Sequence, residues 1–297
     1  MMLTPRTVFV TVIIFVLFFQ TFHLSTRLYD NQVTAMNPTS TSEPATITLT
    51  ATPSPTEIVA TPPTPVPTLS PTTTTEHTLV ADNWKNWPVV PDRISSTMKE
   101  IYLSGLSNGN NPHKFSKAGD CQNIAAWFLS GLDGSAYVLR DEDLQDTIDW
   151  YKGSFERESI AVRGGMNVSS AQTTLWTTDP LCKRDETPLS CEIRVNKPSV
   201  MIISYEELWN GDVEKYSKYL EDLIEYVLSQ KIVPILGTTS TNEELNQVIA
   251  EIAVKYEVPV WNFWAALQPL PEQGILDGFH LTRWGNTYDF TQRLKSG

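Results

Sequence analysis

Hydrophobic and polar positions divide the chain into three stretches of different character. Val8 to Phe19 is a nearly unbroken apolar run (VFVTVIIFVLFF) that continues less cleanly to Leu24. Asn37 to Glu76 has no periodicity and is almost wholly Thr, Pro and Ser with scattered Ala and Val. From about His77 onward the pattern alternates between helical spacing and short apolar runs. Ile94, Met98, Ile101 and Tyr102 share one face of a helix predicted over Pro91 to Leu106, and Asp143 to Tyr151 reads as a short amphipathic helix. Val168 to Trp176 is predicted to be a further helix. The clearest is Val213 to Gln230, with Val213, Tyr216, Leu220, Ile224 and Val227 at helical spacing. Asn242 is the predicted cap of a helix that runs to Tyr256.

Between these lie five short predicted strands. They are Phe115 to Ala118, Ser159 to Val162, Ser199 to Ser204, Ile232 to Leu236 and Val258 to Phe263. SVMIIS, bounded by Pro198, is a continuous apolar run of the kind found in a strand buried on both faces. Strands alternating with helices of this length imply an α/β fold: a single domain with a parallel sheet flanked by helices. Right-handed crossovers put every strand's carboxyl end on one edge. Cys121, Gly165, the residues after Ser204, and Thr238 are expected to share that edge, with His280 in reach of it.

The apolar run follows Arg6, the arrangement of a membrane-targeting segment, although it is somewhat short for a spanning helix. No small-x-small cleavage site follows, so residues 1–28 are expected to be an uncleaved membrane anchor with Arg6 cytoplasmic, rather than a cleaved signal peptide. Residues 29–76 contain too little apolar surface to offset the entropy of ordering them. They read as a disordered stalk holding residues 77–297, the α/β domain, outside the cell; cleavage of the anchor would release that domain as a secreted one. The chain of 297 residues carries 22 basic and 34 acidic side chains, net −12, which argues against a nucleic-acid partner.

Three cysteines remain to be placed. Cys182 and Cys191 bracket a short loop (CKRDETPLSC), and in an oxidising compartment the simplest reading is a local disulfide that pins it. Zinc competes poorly with only four histidines in the chain, and the reading calls for no metal and no cofactor. Cys121 is left as the odd thiol. Free cysteines are often small buried hydrophobes, but this one follows a strand that breaks at Gly119-Asp120, the place where α/β enzymes expose a reactive side chain. Far downstream, Asp277-Gly-Phe-His280 holds a carboxylate and an imidazole three residues apart.

Gly119-Asp120-Cys121 early and Asp277-Gly-Phe-His280 late resemble the Gly-Asp-Ser and Asp-x-x-His blocks of the SGNH (GDSL-like) hydrolase family. The resemblance spans most of Pro112 to the C-terminus, and bacterial membrane-tethered members with a Thr/Pro-rich stalk are the most similar type. It implies a flavodoxin-like three-layer fold and a catalytic set of Cys121 as nucleophile, His280 as general base and Asp277 as its orienter. It also implies an oxyanion hole at Gly165, with Asn210 able to contribute only if its loop is rearranged. Two features depart from the family. Cysteine stands where serine is usual, and SVMIIS is followed by Tyr205-Glu-Glu-Leu-Trp-Asn210 instead of Gly-x-Asn-Asp. The resemblance implies hydrolysis of an ester or acyl group, on a small molecule or a glycan. The alternative is a catalytically inactive domain that uses the same cleft to bind a cell-surface glycan or protein.

Overall fold

Pro198–Ser204, seven consecutive buried residues, form the central strand β2, and the rest of the domain is laid out around it. The computed structural model describes residues 79–134, 137, 139, 144–206, 212–276, 278, 280 and 281. The expected anchor and stalk therefore lie outside the described residues, as do Asn210 and Asp277. Among the described residues no helix is long and apolar enough to cross a membrane.

β1 (Asn111–Gly119), β2, β3 (Val233–Gly237) and β4 (Val260–Trp261) form one parallel sheet in that order. Val200 to Ile203 of β2 pair on one side with Phe115 to Ala118 and on the other with Val233 to Leu236. A strand paired on both edges and covered on both faces has to be apolar throughout, as this one is. On the outer side of β1, Val162 makes a single parallel bridge to Gly119. The Gly119 amide donates to the Ala161 carbonyl at 3.0 Å there. The chain thus leaves β1 toward one side of the sheet and returns to build β2, β3 and β4 on the other. Such a reversal opens a crevice beyond the strands' carboxyl ends, here between β1 and β2.

Helices cover both faces. Phe115 and Lys117 point from β1 to one side, where Phe115 meets the rings of Tyr151 and Phe155 and the Lys117 ammonium donates to the Phe155 carbonyl at 2.9 Å. Tyr151 and Phe155 follow the short helix α2 (Gln145–Trp150). Ser116 and Ala118 alternate to the opposite face, as pleating requires. There Ser116 meets Glu192 and Asn196 of α3 (Pro188–Asn196). The first helix, α1 (Ser96–Ser107), packs on β2 and β3; α4 (Val213–Ser229) and α5 (Glu243–Tyr256) pack on β3 and on each other. Tyr216, Leu220, Leu223, Ile224 and Val227 are the buried stripe of α4, and Asn242 caps α5 by accepting from the Leu245 amide at 3.1 Å. A one-turn helix, α6 (Phe263–Leu267), follows β4.

Four local expectations are corrected. Val168 to Trp176 is not a helix but two tight turns, Ser170–Gln172 and Thr174–Trp176, separated by Thr173 in extended conformation. The second expected strand is only the bridge at Val162, because the chain turns again at Gly164-Gly165. Val258 to Phe263 narrows to Val260–Trp261, since Asn262 caps α6. Cys191 lies not in a loop but in α3, whose start is fixed by Pro188 and by reciprocal bonds between Thr187 and Ser190.

Candidate active site

The carboxyl ends of β1, β2 and β3 are joined by two buried carboxyl groups. Asp120, directly after β1, is fully buried and accepts from the Gln122 amide (3.1 Å) and from the Glu206 amide (2.6 Å). The first bond starts the turn Cys121–Asn123; the second ties that turn to the chain leaving β2. Glu206 is 7% exposed and reaches the third strand, taking the Ser240 amide on Oε1 (3.0 Å) and the Ser240 hydroxyl on Oε2 (2.6 Å). Burial pushes the Glu206 carboxyl up to about 7, helped by the nearby Asp120 charge and opposed by the Ser240 bonds and the His280 imidazole. Burial thus makes this carboxyl easier to protonate than an ordinary one.

Cys121 is half-buried and forms no disulfide. The register pairs Gly119 with Ser204, the last rung before the chains toward Cys121 and Glu206 leave the ladder. Across from the thiol lies the Gly164-Gly165 turn, both residues exposed. A Cβ built on Gly164 would touch Cys121 Cβ at 3.8 Å. Gly165 has φ +77, a conformation that glycine adopts without cost. Its amide donates to none of the described residues, which leaves it open toward an incoming group.

His280 is exposed, in a tight turn closed by the Leu276 amide donating to the His280 carbonyl (2.8 Å) and by a bridge between Ile275 and Leu281. Its imidazole is the smallest of the influences on the Glu206 carboxyl and acts to lower it. The Ile124–Leu129 segment runs along the sheet's carboxyl edge toward β4, where Phe128 stacks on Trp261 with centroids 5.8 Å apart. Trp127 stays 58% exposed beside it.

Of the expected residues, Cys121 lies against the Gly164-Gly165 turn and His280 is exposed in a turn of its own, while Asp277 and Asn210 fall outside the described residues. Glu206 is a hydrogen-bonded link between strand ends whose carboxyl burial pushes up. The bond from its amide to Asp120 is formed over 86 residues of chain, so no local pattern announces it. Cys182 and Cys191 are bonded, Sγ to Sγ 2.01 Å. With Glu186 they make up the one group among the described residues with metal-ligand proximity, and both sulfurs are already consumed by that bond. No family model, curated protein or solved structure matches the chain.

Proposed function

We propose that the chain is an extracellular, membrane-tethered hydrolase of esters or acyl groups, similar to SGNH (GDSL-like) hydrolases on a flavodoxin-like sheet, with Cys121 as its nucleophile. The observation that carries this reading is a half-buried cysteine outside any disulfide, at the strand-order reversal and against an exposed glycine turn. In the reaction the Cys121 thiolate attacks the carbonyl carbon, forming a C–S bond while the carbonyl electron pair moves onto oxygen. The oxyanion then collapses and expels the alkoxide, which takes its proton from the His280 imidazolium. Water attacks the resulting thioester, gives its proton back to His280, and the thiolate leaves. Asp277 is assigned as the orienter of His280, and the Gly165 amide as one donor to the oxyanion.

One observation favours the binding-domain reading instead: a carboxyl, Glu206, stands after β2, where an amide donor would help most. A test separates the two. The full-length protein should release p-nitrophenol from p-nitrophenyl acetate in a burst of one equivalent per chain, and Cys121→Ala should abolish the burst. A wild-type protein without a burst would leave the cleft as a binding surface.

A further inference from the structure

The segment from Thr177 to Glu186 connects the disulfide to the turn that lies against Cys121. Cys182 is bonded to Cys191 of α3. Beside that bond Arg194 donates to the Leu181 carbonyl (2.7 Å) and pairs with Glu186. The Thr177 hydroxyl donates to the Glu186 carbonyl (2.7 Å) and closes the segment into a loop. At the other end, the Thr178 hydroxyl accepts from the Arg163 guanidinium. Arg163 opens the glycine turn, and its amide donates to the Gly119 carbonyl at the end of β1 (3.4 Å). The next residue, Gly164, is the one against Cys121. Printed bonds and contacts therefore run without a gap from the disulfide, through Thr178 and Arg163, to the nucleophile turn.

The disulfide can be attacked from one side. Cys182 is half-buried between the exposed Leu181 and Lys183, whereas Cys191 is fully buried. An incoming thiolate meets the Cys182 sulfur first, which makes Cys191 the leaving group. Arg194 Nη2 lies 3.9 Å from Cys191 Sγ, and a guanidinium beside a sulfur favours its thiolate and hastens its departure. The other ties of the segment are at the surface, since Arg163, Thr178 and Arg194 are exposed. A surface ion pair contributes about 1 kcal/mol or less, while ordering the backbone costs about 1–2 kcal/mol for each residue. The covalent bond is thus what keeps this segment in place.

We propose that the Cys182–Cys191 disulfide is a redox control on Cys121: a dithiol reductant opens it, the segment loosens, and the Gly164-Gly165 turn lifts from the Cys121 side chain. In the exchange the reductant's thiolate attacks Cys182 Sγ, and the electron pair of the S–S bond leaves on Cys191 Sγ. The reductant's second thiolate then displaces Cys182 Sγ and departs as a disulfide, so two electrons and two protons pass from the dithiol to the two cysteines. This goes beyond the hydrolase reading, because exposure of the Cys121 thiol does not depend on what the thiol catalyses.

The test is the rate at which iodoacetamide alkylates Cys121 in the full-length protein, before and after anaerobic reduction by dithiothreitol, with the label mapped to the Cys121 peptide. Reduction should raise this rate by about two- to tenfold, the factor by which losing one hydrogen bond shifts a local opening. Thr178→Val removes the acceptor for Arg163 and leaves the disulfide intact. It should show the faster rate already when oxidised, with less than about a twofold further gain on reduction, because both changes cut one connection. The Cys182→Ser, Cys191→Ser double variant should match reduced wild type without reductant; if thermal unfolding shows that it does not fold, Thr178→Val decides. Equal rates in oxidised and reduced wild type overturn the proposal. So does a Thr178→Val protein that is slow when oxidised and accelerates on reduction as wild type does.

Discussion

At the scale of single residues, Gly119 shows how tightly the nucleophile turn is built. A Cβ at this position would overlap Asn123 Oδ1 and Cγ and come within 2.5 Å of the Ser204 carbonyl. The carbonyl belongs to β2 and cannot move aside, so Gly119→Ala should destabilise the fold by about 1–3 kcal/mol, as overpacking does. Denaturant unfolding of the variant measures this, and an unchanged midpoint would contradict it. The requirement for glycine comes here from crowding, not from a positive φ. The sequence showed Gly119-Asp120-Cys121 as a break before a possible nucleophile, and the residues sit at the strand end as that reading required. It did not show that Asp120 would be spent on two backbone amides, because one of them belongs to Glu206 in another strand's extension.

Among elements, long periodic ones were legible and short ones were not. The stripe of α4 and the cap of α5 are set by local spacing and local hydrogen bonds, so the sequence contains them in full. Val168 to Trp176 has helix-like apolar spacing, but Asn167 diverts the chain: its Oδ1 accepts from the amides of Ser169 (3.1 Å) and Ser170 (3.0 Å) and from both hydroxyls. α3 was hidden because its buried face mixes apolar residues, Leu189 and Ile193 among them, with the polar Glu192 and Asn196. Glu192 accepts from Ser116, Arg157 and the Ile160 amide, and Asn196 donates to Ser116, so no hydrophobic period marks the helix. The disulfide holds the segment before α3 to that helix across a sequence separation of 9. Replacing Cys182 and Cys191 by serine should lower stability by about 2–3 kcal/mol through the freed entropy of the unfolded chain. Comparing unfolding free energies of the oxidised protein and the double variant checks this; equal values would mean that the Arg194–Glu186 pair holds the segment without the bond.

For the whole molecule, the buried carboxyl of Glu206 makes stability depend on pH. Its pKa is about 7 in the folded protein against 4.5 for the ordinary carboxyl, so the native state binds this proton more tightly than the unfolded chain does. The contribution is fully present below about 4.5 and is lost as pH rises through about 7, a swing on the order of 3 kcal/mol. Asp120 and His280 are the charged groups acting on it, with Ser240 the neutral partner. Lys117, lowered to about 8 by burial, starts to lose its proton at the top of this range with the opposite effect on stability, and it is common to wild type and the Glu206→Gln variant, so the comparison between them isolates Glu206. The unfolding free energy of wild type should therefore fall between pH 5 and pH 7.5 relative to that of Glu206→Gln, measured by urea titration at each pH. Parallel curves would show that Glu206 stays ionised throughout.

The links among Asp120, Glu206 and Ser240 lie beyond the last ladder bonds of the sheet, in chain that would otherwise be loop. Three strand extensions that share two carboxyls cannot fray one at a time, because releasing any of them strands a buried acceptor on another. This end of the sheet therefore opens only together with the strands themselves, in one cooperative unit with the core.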